Sequence, residues 1–384
     1  MDPQTLSLPP LGLYVHIPWC VRKCPYCDFN SHRQPASLPE EEYITALLKD
    51  FREELPLTFN RPLVSIFIGG GTPSLFKAES FDRLIRGISQ EIDFAPDIEI
   101  TLEANPGTFE TEKFAAYRDS GINRLSIGIQ SFNELQLQKL GRIHGSEEAL
   151  NASVTARAAG FSNFNLDLMF GLPGQSLNEA LTDLQTAIMC KPSHLSWYQL
   201  TIEPNTEFYR HPPVLPQDDA LAAIQESGIA LLEQHGYARY EISAFARTHS
   251  QSRHNRNYWE FGDYMGIGAG AHGKFTLPEN NSIIRTRKRK MPAHYLDNNT
   301  SMIAGSETVA ENELALEFMM NAMRLVEGVP ITLLPTRTGI DPGRLAGELD
   351  ILQARGLLTE NRNRLQPSST GLSHLNEVLL AFMP

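Results

Sequence analysis

The stretch Tyr14–His32 reads YVHIPWCVRKCPYCDFNSH: an apolar, strand-like run opening into a loop with three cysteines, Cys20, Cys24 and Cys27, spaced Cys-x3-Cys-x2-Cys. Three thiolates this close can hold three corners of a [4Fe–4S] cluster, and closed clusters take four, so one iron is left for an outside ligand. Catalytic metal sites keep a free position in the same way. Two residues after the third cysteine stands Phe29, which brings no thiol. The rival reading is a structural zinc site completed by His16 or His32, because Cys3His sets are common. Against it, zinc knuckles pair two separate short ligand pairs, and this is one compact loop. Three cysteines cannot pair evenly in disulfides, and no secretory signal precedes them. Cys190, alone in AIMCKPSHL, reads as a small buried apolar residue.

Working outward, 384 residues favour one large α/β domain plus a smaller one. A hydrophobic content of 41% supports a full core. No apolar run approaches the roughly 20 residues needed to span a bilayer. Lys plus Arg number 33 against 45 Asp plus Glu, a net charge of −12, which argues against a nucleic-acid partner. Reduced cysteines in a cluster motif point to the cytoplasm.

The first two-thirds of the chain alternate short β-branched runs with amphipathic helical stretches. Strands are expected at Leu11–Ile17, Leu63–Ile68, Ile98–Leu102, Arg124–Ile129, Asn165–Met169 and Leu195–Leu200. Such alternation gives right-handed βαβ units and a parallel sheet. Six units fall short of the eight of a closed barrel, so a partial, open (β/α)6 barrel is expected. The unusual residues then fall on one rim. The cysteine loop follows the first strand, GGGTP (Gly69–Pro73) the second and EANPGT (Glu103–Thr108) the third; Gln130, Asp167 and Thr201 lie on or at the ends of the next three. That carboxyl-end rim is where α/β barrels build their sites.

The glycine run lets backbone approach a ligand and offers exposed N–H groups, or it is only a tight turn. Glu103 can accept two hydroxyls as acidic residues do with ribose, or sit solvated or ion-paired. Gln130, Arg142 and Asp167 can serve a carboxylate, an adenine or one another. Tyr14 and Tyr26 can stack on an adenine or simply pack. As a set beside an open-iron cluster they fit a nucleoside amino acid.

These motifs, with SIGIQSF at Ser126–Phe132 and FNLDLMFGLPGQ at Phe164–Gln175, resemble the radical S-adenosylmethionine superfamily. More narrowly they resemble its oxygen-independent coproporphyrinogen III oxidase branch, through nearly the whole chain. The resemblance implies that Cys20, Cys24 and Cys27 ligate the cluster. It also implies that Tyr14, Gly70, Gly71, Thr72, Glu103, Gln130, Arg142 and Asp167 line the S-adenosylmethionine site, with Tyr26 and Thr201 weaker carry-overs. The oxidases place a fourth cysteine where this chain has Phe29. The Cys-x3-Cys-x2-Cys-x-Phe form, and HNRNYW at His254–Trp259, are similar instead to the HemW family of haem chaperones. That likeness implies haem binding, with His254, Asn255, Tyr258 and Trp259 as the set and the axial ligand open. It further implies transfer to client haemoproteins, respiratory enzymes at the membrane among them, and a homodimer. The alternative is a coproporphyrinogen oxidase or another radical enzyme. Read from its residues alone, a His with nearby Tyr and Trp either serves haem or is a buried, hydrogen-bonded linker histidine.

Downstream, the glycine-rich Phe261–Phe275 either closes the barrel mouth or packs on the open sheet. Arg285–Lys290 (RTRKRK) reads as a solvated loop, or as a partner for propionates, an acidic protein or anionic lipid. From about Glu311 a helix, a second helix over Pro342–Arg355, a β-like Leu357–Gln366 and a last helix suggest a small winged-helix-like domain. Three regions are therefore expected: a core over 1–245, a linker, haem-motif and barrel-closing segment over 246–310, and the C-terminal domain over 311–384.

Overall fold

The computed structural model describes residues 6–107 and 111–384. Thr108, the last residue of EANPGT, lies outside the described residues. Twelve strands form one sheet: β1 (Leu11–Ile17), β2 (Leu63–Gly70), β3 (Phe94–Ala104), β4 (Arg124–Gln130), β5 (Phe164–Phe170), β6 (His194–Gln199), β7 (Ala238–Glu241), β8 (Ala244–Ala246), β9 (Asp263–Ile267), β10 (His272–Leu277), β11 (Ser282–Lys288) and β12 (Ile303–Thr308). Their spatial order is β12-β11-β10-β9-β1-β2-β3-β4-β5-β6-β8-β7. β1 to β6 run parallel, and helices cover them, including Glu40–Glu54, Ala78–Ser89, Ser146–Ala158 and Leu177–Met189. All of β4 is buried, as expected of a strand covered on both faces. The six parallel strands and their covering helices match the expected open barrel.

The stretch expected to hold a linker and a barrel-closing segment adds four strands to the sheet. β9 pairs in parallel with β1, and β10, β11 and β12 follow as antiparallel neighbours. The basic run is not a solvated loop: its first four residues lie in β11, where Lys288 is fully buried between Asp50 and Glu54. Tyr295 donates to the same Asp50 at 2.6 Å. Arg285 pairs with Glu317 and Arg287 with Glu307. A second buried group ties β9 down, with Asp263 accepting from Lys274 at 2.9 Å and from Arg61 at 2.8 Å. Burial pushes the Asp263 carboxyl up, but the two cations outweigh it and hold it below the ordinary value.

Beyond β12 come helices Leu314–Ala322, Leu333–Thr338 and Ala346–Ala354, a short ribbon pairing Val329–Pro330 with Arg364–Leu365, and two terminal helical turns. Their core is shared with the sheet: Phe318, Met319, Leu352 and Val378 cluster with Tyr240, Phe261 and Ile283. The C-terminal part is thereby packed onto the barrel.

Removing one partner of a buried ion pair strands the other charge, at a cost of about 3–5 kcal/mol. Lys288→Ala, which leaves Asp50 and Glu54 uncompensated, should destabilise the protein by that order in urea unfolding. A loss under about 1 kcal/mol, the range of exposed pairs, would contradict this account.

Candidate functional site

The loop after β1 folds back along the rim, pinned by His32 N to Pro18 O at 2.7 Å, Gln34 N to Cys20 O at 2.9 Å and Cys27 N to Cys24 O at 3.1 Å. Cys20, Cys24 and Cys27 line one cavity of about 440 Å³ together with Gly70, Gly71, Thr72, Glu103, Gln130 and Asp167. Tyr26 and Thr201 line it too. Arg142 stands behind this wall: its Nη1 donates to Cys24 Sγ at 3.6 Å, and its Nη2 to Gly128 O at 2.7 Å. A guanidinium beside a sulfur favours the thiolate. Burial pushes the Cys20 and Cys27 thiols up, a penalty that a metal taking the sulfur as ligand removes. Ser31 Oγ sits 3.9 Å from Cys27 Sγ, and hydroxyl contacts of that kind tune cluster sulfurs. This donor set fits an iron–sulfur cluster.

The zinc alternative loses His16. His16 has both ring nitrogens engaged, with Tyr14 Oη at 2.9 Å and Asn30 O at 2.8 Å. His32 Nε2 meets the Lys290 carbonyl at 3.3 Å. Among the described residues no three His, Cys, Asp or Glu side chains are grouped to hold a single metal ion.

The glycine run works differently from expectation. Its N–H groups are spent within the chain: Gly70 N donates to Glu103 Oε2 at 2.9 Å, Gly71 N to Ile17 O at 2.7 Å and Thr72 N to Trp19 O at 2.7 Å. What the glycines supply is room. Gly70 sits at φ +113°, and a Cβ there would lie 2.5 Å from the His16 ring; at Gly71 it would lie 2.5 Å from the Trp19 carbonyl oxygen.

Four carboxylates line this cavity: Asp28, Glu103, Asp167 and Glu203. Burial, then the neighbouring Asp167, pushes Glu103 up to about 8 despite the Gly70 N–H. Burial also raises Asp167, which accepts from Ser126 at 2.9 Å and Asn165 at 2.8 Å. Gln130 closes β4 at φ +69°, beside a bulge against β5, and accepts from Tyr198 Oη at 2.7 Å. Non-glycine residues in the left-handed region are held there by their surroundings and cluster at functional sites. A cavity with two reluctant carboxylates suits a ligand that brings positive charge and hydroxyl donors.

Tyr14 does not line this cavity. It lines a second one, of about 740 Å³, which shares Lys23, Asp28, Phe29, Gly70 and Glu103 with the first. Phe67, Tyr258 and Tyr264 give it aromatic walls, and His16, His254, Asn255, His272, Lys23 and Lys290 also line it. Phe29, 58% exposed, stands on the lip common to both cavities. His254 is buried, with Nδ1 3.0 Å from Ser65 Oγ, its ring stacked on Phe67 at 5.0 Å and edge-on to Tyr258 at 4.8 Å. Burial first, then Arg124, lowers its pKa to about 3, so its imidazole is neutral. Trp259 parts from the other three residues of its motif: it packs against the C-terminal core with Arg324 over its ring at 4.3 Å. Sequence reasoning missed Phe67, Tyr198, Tyr264 and His272; Lys290 ends the basic run whose alternative reading was a partner for propionates. The four missed residues come from strands that read as plain core or from the stretch taken for a linker, and none sits in a ligand-like spacing.

Three thiols on the loop after the first strand of an open parallel barrel, facing a cavity at the carboxyl rim, define a radical S-adenosylmethionine protein. The Radical SAM superfamily model matches residues 14–187, and that of the HemN C-terminal domain matches residues 309–374. The solved coproporphyrinogen III oxidase (HemN) of Escherichia coli shares the fold, with a TM-score of 0.82 at 22% identity over 99% of this chain and 91% of that one. The chain is 50% identical to "Heme chaperone HemW" of Haemophilus influenzae and 48% identical to that of Escherichia coli, over 98% of this chain and 99% of each relative. It belongs to the HemW family. The radical SAM superfamily implies a [4Fe–4S] cluster and S-adenosylmethionine.

Glu103 yields a pH prediction. Its folded-state pKa lies above the ordinary 4.5, so the folded protein keeps a proton that the unfolded chain gives up. The contribution of Glu103 to stability is complete below 4.5 and is lost as pH rises towards about 8. Glu103→Gln should therefore gain melting temperature over the ligand-free wild type at pH 9 and much less at pH 5. An equal difference at the two pH values would refute the assignment.

Proposed function

We propose that this protein is a cytoplasmic haem chaperone that passes haem to client haemoproteins, including respiratory enzymes, which it meets at the membrane surface. Among the described residues no helix is long and apolar enough to cross a membrane. In this reading Cys20, Cys24 and Cys27 hold the cluster, with Arg142 behind Cys24. Glu103 and Asp167, on the first cavity, would receive the positive charge and hydroxyls of S-adenosylmethionine beside the cluster. Haem occupies the second cavity. When bound, the cluster supplies electrons at low potential and a Lewis-acidic iron. The chain's own residues position: Tyr14 and Phe67 stack in the second cavity, and Gly70 lets the rim close against His16.

The observation that carries this reading is the full-length likeness to proteins named heme chaperones, together with an aromatic-walled cavity that shares Phe29 with the thiol cavity. Phe29 also weighs against the oxidase alternative, for which the resemblance implies a cysteine at that position. Cavities of this size and lining are ordinary for cofactors.

The test is a haem titration of cluster-loaded protein, followed by mixing with an apo-haemoprotein and by an anaerobic assay with coproporphyrinogen. Saturable binding, transfer to the acceptor and no protoporphyrinogen are expected. Turnover of coproporphyrinogen, or binding that never saturates, would reject the proposal.

A further inference from the structure

Three imidazoles line the second cavity: His16, His254 and His272. An axial ligand to haem iron must present a ring nitrogen whose lone pair is free and which the iron can reach. His16 fails the first condition, since both nitrogens are already bonded to Tyr14 and Asn30. His254 fails the second. Its Nδ1 is taken by Ser65, and its Nε2 is shut off from solvent behind Phe67 and Tyr258.

His272 meets both conditions. It opens β10, is exposed at the cavity and, among the described residues, makes no hydrogen bond through either ring nitrogen. Its backbone is fixed between strands, opposite Arg287 of β11, so the ring projects from a rigid element. Partial burial, then Lys290, Arg285 and Arg287, lowers its pKa, so the imidazole is neutral at neutral pH, the form that binds iron. Two ammonium groups, those of Lys23 and Lys290, stand on the same cavity and suit a pair of carboxylates; Asp28 and Glu103 are its acidic neighbours.

We propose that His272 is the axial ligand to haem iron in the second cavity, with Lys23 and Lys290 receiving the propionates and His254 serving as a wall. This rests on the haem reading above. No bond is broken: an imidazole nitrogen of His272 would donate its lone pair to the iron.

Haem titrations followed by the Soret band and by electron paramagnetic resonance test it, using cluster-loaded wild type, His272→Ala and His254→Ala. Wild type should bind saturably with a nitrogen-ligated spectrum. His272→Ala should lose that spectrum and bind at least about tenfold more weakly, the lower end of what a lost support costs at a metal site. Imidazole added to the buffer should restore the nitrogen-ligated spectrum. His254→Ala should keep the spectrum, at reduced affinity. An unchanged spectrum in His272→Ala, or loss of nitrogen ligation only in His254→Ala, would overturn the assignment. Unsaturable binding by wild type would remove the haem reading itself, a failure distinct from the other two.

Discussion

The Gly70 amide donates to Glu103 Oε2 at 2.9 Å, and the division of the barrel mouth into two cavities turns on that bond. Both residues line both cavities. The bond needs glycine, because the chain reaches the carboxylate at φ +113° while passing the His16 ring at a distance no Cβ could tolerate. His16 in turn is fixed by Tyr14 on one side and Asn30 on the other, and Asn30 reaches on to the carbonyls of Ala269 and Lys290. One continuous set of bonds therefore links the end of β2, the cysteine loop and the turns around β10 and β11. The thiols and the second cavity are positioned by the same residues.

That arrangement depends on the strands beyond β1 being held to the barrel. Buried charge does this: Lys288 with Asp50 and Glu54, and Asp263 with Lys274 and Arg61. Buried ion pairs are weak sources of net stability, since desolvation offsets most of their attraction. Their geometry is demanding, however, and a strand slipped by one residue would leave Lys288 pointing at the wrong face with its partners unpaired. Register is what they specify, and register is what brings His272 and Lys290 to the cavity wall.

This also explains what was legible in the sequence. Strands β1 to β6 are covered on both faces and read as apolar runs, so their positions were recoverable to within a few residues at each end. The cysteine spacing and its place after the first strand marked the first cavity directly. β11 was not recoverable. It reads SIIRTRK, and the acidic partner that lets Lys288 be buried lies 238 residues away, so local pattern signalled a solvated loop. The glycine run was located correctly and its use misread, because no sequence pattern shows which carbonyl or carboxylate an N–H will meet. Trp259 was grouped with His254 through the likeness of HNRNYW to the family's motif, although a helix turn separates their faces and sends the indole towards Phe318 and its neighbours.

The two cavities share Lys23, Asp28, Phe29, Gly70 and Glu103 and differ in what lies beyond that wall. The first adds Asp167, Glu203 and Arg22, and burial raises both Glu103 and Asp167, so each favours a cation nearby. The second adds Lys290 and the neutral imidazoles of His254 and His272. On the proposed reading a sulfonium with an ammonium meets the added carboxylates of the first, and a dicarboxylate porphyrin meets the added ammonium of the second. Phe29 completes the separation. Placed on the common lip, an apolar side chain there offers the cluster no fourth thiolate and offers a flat aromatic ligand a surface to rest on.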